Sequence, residues 1–216
     1  MHSLRKKLVK DGNYAKQYSA FITEMQQKGY AEQVTTASPG NVWYIPHFGV
    51  QHPDKVRVVF DCASKVEGTS LNDLLLQALD MMNSLLGVLV KFRGGPFAYT
   101  GDINTMFFQV RVPEHQRDYL RFFWWENSLD EELKEWRMAV HLFGACSSPS
   151  ITNFVLNQTA SDFGDEFSEG TRFTVANNFY VDNCLRAEDC KDALLVNLLE
   201  VKELCKKRGI YIDKVQ

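Results

Sequence analysis

Two aspartates in this chain stand where carboxylates do chemistry. Asp102 closes the stretch FAYTGD, where an aromatic and small-residue run reaches a turn, and Asp182 sits in NNFYVDNCL beside Asn183. A lone turn aspartate most often caps its own backbone. Two of them at the same end of neighbouring strands offer more. Hard carboxylate oxygens, completed by substrate phosphates, are the usual protein share of a Mg²⁺ site, and two such ions activate an attacking hydroxyl and stabilise a leaving phosphate oxygen. That chemistry requires the strand ending at Asp102 to lie beside the segment that presents Asp182.

The positioning elements can be read from pattern. RFTVANNFYV and CLRAE read as strands that bracket Asp182-Asn183 as a tight β-hairpin, Asp and Asn being residues that tolerate positive φ in the turn. FAYTGDINTMFFQVRV reads as a strand, a turn and a second strand or helical turn, after Gly94, Gly95 and Pro96. In SSPSITNFVLNQTASDF, Ser148 is placed to cap a helix with Pro149 in its first turn. A last helix spans about Lys191 to Arg208 and stops at Gly209.

Further toward the N-terminus, Tyr14, Tyr18, Phe21, Ile22 and Met25 recur at helical spacing, and Gly29 follows where a left-handed C-cap residue belongs. VWYIPHFGV and KVRVVFD read as strands, the first limited by Pro46. Ser70 is an N-cap for one long helix, SLNDLLLQALDMMNSLLGVLV, with a broad apolar core face. YLRFFWW and EWRMAVHLF read as two strands around the acidic loop Asp130, Glu131, Glu132, with FFWW supplying core and sheet face rather than a stacking platform for bases. The order predicts an α+β fold, helices packed on a largely antiparallel sheet.

Composition narrows the classes. The 216 residues are 45% hydrophobic and 24% charged, which excludes global disorder. A net charge of -3 excludes a chain that is basic throughout, so any contact with nucleic acid must be local. The five cysteines form no C-x-x-C pair and are odd in number, which points to free thiols in a reducing compartment. No signal peptide or membrane span is legible, so an intracellular location, cytoplasmic or nuclear, is expected. His47 and His52 have no further His or Cys at zinc-ligand spacing. The chain stops directly after a β-like pattern, as a fragment of a longer polypeptide would.

The segments WYIPHFGVQHPDKVRVVFDCASKVEGTSLNDLLL, FAYTGDINTMFFQVRVPEHQRDYLRFFW, HLFGACSSPSITNFVL and NNFYVDN together resemble, in order and spacing, the reverse transcriptase of BEL/Pao-class long-terminal-repeat retrotransposons. The resemblance covers roughly residues 25 to 214. It implies the fingers and palm of a right-handed polymerase: an N-terminal helical extension over 1–40, a fingers part over 41–100 and a palm over 101–216, with the thumb absent. It implies template-directed addition of deoxynucleotides to a primer 3′ end on an RNA or DNA template, with two Mg²⁺ ions or Mn²⁺ in their place.

Residue by residue, Asp102 resembles the first catalytic aspartate, and Asp182 the first aspartate of the Y-x-D-D turn. The same motif implies metal contact by the Ile103 backbone carbonyl and makes Asn183 part of the catalytic turn. Lys55 and Arg57 resemble residues that grip the incoming triphosphate, for which a point charge and a guanidinium fork are apt. Phe107 resembles the bulky residue that excludes a 2′-hydroxyl, although a plain core aromatic reads equally well. Phe143 and Gly144 resemble nucleotide-contacting residues, while Ser148, Pro149 and Tyr180 resemble template and primer contacts. Lys214 resembles a lysine that protonates the leaving pyrophosphate.

Three positions depart from that pattern. Asn183 stands where the family has a second aspartate, and Asn104 and Thr105 where it usually has Glu and Lys. Asp-Asn does occur in place of Asp-Asp in polymerases of some negative-strand RNA viruses, on a related palm. Alternative readings are a catalytically inactive remnant that keeps the fold and binds nucleic acid or protein, and an RNA-templated RNA polymerase, against which the bulk of Phe107 argues. Neither the host nor the oligomeric state follows from the sequence.

Overall fold

The computed structural model describes residues 1–36, 38, 40–76, 80–126 and 128–216. Two helices come first, α1 (His2–Lys10) and α2 (Gly12–Gln27), joined at Asp11. The Asp11 carboxylate accepts from the Tyr14 N–H at 2.9 Å and so caps α2. Tyr14, Tyr18, Ile22 and Met25 are buried as their spacing predicts, and Gly29 adopts φ +64 at the helix end. The basic segment before Gly12 shows no helical spacing of its own in the sequence, although the resemblance implies a helical extension over 1–40. It is helical because Leu4 and Leu8, one turn apart, are buried, a signal too short to stand out among lysines.

The remaining elements follow in chain order: β1 (Ala31–Gln33), β2 (His47–Gln51), β3 (Val56–Phe60), β4 (Lys65–Val66), β5 (Thr69–Ser70), α3 (Leu71–Leu74), α4 (Leu85–Phe92) and β6 (Phe97–Ile103). Then come β7 (Arg121–Trp125), β8 (Leu133–Met138), α5 (Ser148–Phe163), α6 (Glu169–Asn177), β9 (Phe179–Tyr180), β10 (Asn183–Glu188), α7 (Lys191–Lys206) and β11 (Ile212–Asp213). All named strand pairs are antiparallel. All five cysteines are free. Among the described residues no helix is long and apolar enough to cross a membrane.

Two expectations are corrected. The long helix from Ser70 is two short ones. Ser70 does cap, in a capping box with Asp73, but α3 ends at Leu74, and a second cap at Ser84 opens α4; residues 77–79 lie outside the described residues. Two tethers hold the start of α4, one to distant backbone through Asn83 and one local through Ser84. The Asn83 amide donates to the Ala176 and Phe179 carbonyls, and Ser84 Oγ accepts from the Gly87 N–H. Most of the expected core leucines and methionines are exposed, and among the residues of α3 and α4 only Leu71 and Val88 are buried.

The second correction concerns RFTVAN, which is the body of α6 and not a strand. Its Thr, Phe and Val residues favour strands by propensity. Ser168 nevertheless caps the segment by accepting from the Thr171 N–H, and the buried side chains Thr171, Thr174 and Val175 fall at helical spacing.

The described contacts divide the chain into two compact units, each built from two segments. One comprises Met1–Leu76 and Arg111–Ser148. Its sheet has the order β1-β8-β7, beside the β2-β3 hairpin. Phe122, Trp124 and Trp125 are buried there, with Tyr18 stacked on Trp124 at 5.2 Å. Arg121, buried in the same unit, pairs with Asp118 at 2.9 Å and Glu135 at 2.8 Å.

The other unit comprises Gln77–Val110 and Pro149–Gln216. Its four-stranded sheet has the order β11-β6-β10-β9. Tyr99, Ile103, Phe107, Leu156, Phe179 and Leu204 belong to the core under that sheet. The strand that ends at Asp102-Ile103 is thus central, with β10 on one side and β11 on the other.

Candidate active site

β6 and β10 run antiparallel from Phe97 opposite Glu188 to Asp102 opposite Asn183, and Asn183 in turn faces Tyr180 on β9. On the other flank Asp213 faces Asp102. Directly opposed residues share a sheet face, so Asp213, Asp102, Asn183 and Tyr180 form one row across the sheet. The requirement that the strand of Asp102 adjoin the hairpin of Asp182 is met by this pairing.

The hairpin loop itself is Val181-Asp182, and Asn183 is already in β10. Positive φ falls on Val181, at +55, and not on the aspartate or asparagine. A two-residue loop with positive φ at its first central position normally carries glycine there. A β-branched residue in that conformation is strained, as residues at functional sites often are. The Ile103 N–H donates to the Asp182 carbonyl at 2.8 Å, tying the turn to the end of β6. Because a strand residue directs its N–H and C=O to the same edge, the Ile103 carbonyl also faces the hairpin.

Burial pushes the Asp182 carboxyl above the usual carboxylate range, and its own backbone N–H pulls it back. The charge of Asp102 and a hydrogen bond with that carboxylate raise it further, while Lys214 lowers it. The two carboxylates are therefore near enough for the charge of one to act on the other. Asn183 Nδ2 donates to Asp182 Oδ1 at 2.9 Å, so the neighbouring amide holds the Asp182 carboxylate. Lys214 Nζ lies 3.2 Å from Asp102 Oδ2. Asn104 Nδ2 donates to Asp213 Oδ2 at 2.8 Å.

Among the described residues no group of three His, Cys, Asp or Glu side chains is placed to hold a metal. The site is a two-carboxylate one, the kind that binds Mg²⁺ together with substrate phosphates. Its residues fit such an ion, since a lysine ammonium already stands in as a cation against Asp102. Phe107 lies five residues beyond Asp102, in a short 3₁₀ turn, Met106–Gln109. It is buried in the core, with 7% of its surface exposed. Tyr180 is half-buried at the end of β9.

In the unit Met1–Leu76 with Arg111–Ser148, Arg57 is exposed on β3 opposite Val50, on the face that also displays Phe48. Lys55 is exposed in the β2-β3 turn, where its backbone bonds that of His52 in both directions. Phe143 is exposed, and Gly144 takes φ +112, where an added Cβ would lie 2.6 Å from the Phe60 carbonyl oxygen. Ser148 is buried at the first residue of α5, its N–H donating to the Ala145 carbonyl, and Pro149 follows in the first turn.

Asn72 carries no functional signal in the sequence. Its amide donates to the Gly144 carbonyl at 2.9 Å and its Oδ1 accepts from the Cys146 N–H at 2.9 Å. The only cue was an asparagine just inside a strong cap, in SLND. Asn72 is the residue that fixes the loop carrying Phe143 and Gly144.

No protein-family model and no curated protein matches the chain. Among solved structures it is similar to the foamy viral protease-reverse transcriptase in complex with double-stranded DNA, with a TM-score of 0.70 and 16% identity over 94% of this chain and 31% of that one. It is similar also to the native prototype foamy virus protease-reverse transcriptase, with a TM-score of 0.69 and 14% identity over 94% of this chain and 24% of that one. The chain thus spans less than a third of either neighbour's length. This likeness shows a mixed helix and antiparallel-sheet fold similar to that of retroviral reverse transcriptases.

Proposed function

We propose that the chain is the polymerase part of a retrotransposon reverse transcriptase of the BEL/Pao class, which adds deoxynucleotides to a primer 3′ end on an RNA or DNA template. The observation that carries this reading is the meeting of Asp102 and Asp182 at one end of a central antiparallel strand pair, within a fold similar to reverse transcriptases. The palm is then the region from 101 to 216, the fingers 41–100, and 1–40 a helical extension.

Asp102 and Asp182 hold the divalent ions, with the Ile103 carbonyl facing the same turn. Bound there, Mg²⁺ supplies Lewis-acid activation of the primer hydroxyl and charge neutralisation of the departing phosphate. Asn183 keeps the Asp182 carboxylate oriented through its amide. Lys55 and Arg57 bind the triphosphate of the incoming deoxynucleotide, and Phe143 and Gly144 line its site. Phe107 packs beneath the sugar and limits room for a 2′-hydroxyl. Ser148, Pro149 and Tyr180 contact template and primer.

A second reading, a remnant that keeps the fold without activity, is favoured by one observation. Asn183 donates to Asp182 where a second anion would stand. A unit charge at about 4 Å is worth on the order of 4 kcal/mol at an effective dielectric of 20. Losing part of that slows the reaction by roughly 10²-fold or more.

Primer extension with Mg²⁺ or Mn²⁺ separates the two. The polymerase reading expects extension by the wild type, a rise of about 10²-fold in Asn183→Asp, and loss in Asp102→Ala. Extension by Asn183→Asp alone establishes the remnant. Extension that survives Asp102→Ala removes the site from the reaction altogether.

A further inference from the structure

Lys214 owes its place to a break in strand pairing. Asp213 faces Asp102, yet Gln216 exchanges both backbone hydrogen bonds with Thr100, at 3.0 and 3.1 Å. Two residues, Lys214 and Val215, are therefore set against the single residue Gly101. This is a β-bulge, a device that re-aims side chains beside active sites.

Lys214 takes φ +47 at its start, a conformation that in such bulges usually falls to glycine. Gly101 makes room on the facing strand, since an added Cβ would lie 2.8 Å from Ile212 Cγ2. Successive residues of an unbroken strand point to opposite faces, which would send Lys214 away from the face that Asp213 and Asp102 share. The bulge instead brings its ammonium to 3.2 Å from Asp102 Oδ2, although 79% of the lysine side chain is exposed. A surface ion pair is a poor return for a strained backbone. A contact that serves the carboxylates accounts for it.

We infer that Lys214 is the resident counter-ion of the site: its ammonium holds a cation's place against Asp102, is displaced when a divalent ion binds, and so sets the affinity for that ion. No bond forms or breaks. One positive group leaves the carboxylate as another arrives. The inference rests on the proposed metal-binding reading of Asp102 and Asp182, and goes beyond it in assigning Lys214 a role before any substrate is present.

The test is Mn²⁺ alone, titrated into the full chain without nucleotide, with free Mn²⁺ read by electron paramagnetic resonance at fixed pH and ionic strength. Lys214→Met keeps most of the stem and removes the charge; it is expected to tighten Mn²⁺ binding about five- to tenfold. Lys214→Gly suits the left-handed backbone and is expected to tighten binding as much, which covers a Met variant that folds poorly. Lys214→Arg retains the positive charge and should stay near the wild type.

Unchanged or weaker binding in both the Met and the Gly variant overturns the inference, as does an absence of binding in every protein. Asp102→Asn separates metal binding itself from the role of Lys214. If it leaves Mn²⁺ binding intact, the metal-site reading falls. If it abolishes binding while the lysine variants show no gain, the counter-ion role alone falls.

Discussion

Asp182 is held in a state that works against the fold. Burial and the neighbouring Asp102 raise its carboxyl above the ordinary value, so the folded chain binds that proton more tightly than the unfolded one. The stabilisation this provides is complete below the unfolded value of 3.8 and is lost as pH rises through the folded one. At neutral pH the charged carboxylate is therefore a net cost. Asp182→Asn is expected to raise the melting temperature near neutrality, with the gain shrinking in acid. Thermal melts of both proteins across pH check this, and a lower melting temperature at neutral pH would contradict it. On the proposed metal-binding reading the same substitution removes a ligand, so the added stability should come with lost Mn²⁺ binding, the trade expected of a charged site. At this scale the sequence was readable where side chains declare their chemistry, as Asp102 and Asp182 do. The resemblance picked out Lys214 by type, but its direction depends on a bulge opposite Gly101 that no local pattern announces.

At the scale of elements, the hairpin shows what reading by residue type leaves out. Asp and Asn were expected to occupy the turn because they accept positive φ. Asp182 does occupy the turn, but the pairing of Asn183 with Tyr180 puts Asn183 in the strand and Val181 at the position of positive φ, because the loop position is set by register and not by preference. The helices divide in the same way. α2, α5 and α7 were legible from apolar spacing and end signals. α6 was not, since its β-favouring residues are overruled by a cap and by packing.

That cap is testable. Ser168 Oγ accepts from the Thr171 N–H at 3.3 Å and bonds Glu200 on α7 at 2.5 Å. Thr171 reaches the same carboxylate at 2.6 Å, and these two hydroxyls hold the Glu200 carboxyl below its usual value. Ser168→Ala is expected to cost about 1 kcal/mol, read as a lower urea midpoint with an unchanged slope. An unchanged midpoint would mean that the cap contributes nothing to α6.

Over the whole molecule, acid sensitivity has an identifiable source. His47 is buried in the unit Met1–Leu76 with Arg111–Ser148, between the Tyr18 hydroxyl at 2.5 Å and the Phe123 carbonyl at 2.9 Å. A carbonyl only accepts, so Nε2 carries the proton and Nδ1 accepts from Tyr18. Burial brings the ring down from 6.5 to about 4, and burial also lowers His141. A depressed folded value means full stability above the unfolded 6.5, lost progressively as pH falls toward 4. His47 alone should account for about 3 kcal/mol of that loss. Urea unfolding between neutrality and pH 4 should show it, with a shallower decline in His47→Phe; parallel profiles would exclude His47 as the source.

The central place of β6 has a consequence in time. A ribosome delivers Asp102 long before Asn183 and Asp213, the two residues set opposite it. At about 5–20 residues per second the strand waits several seconds for its first partner. Both of its edges are open in that interval, and FAYTGDI is a seven-residue run with one charge and no proline. Pairing across such long sequence separations is intrinsically slow. The carboxylate pair is thus among the last features to form, and the nascent chain is most exposed to strand-to-strand aggregation just before it does.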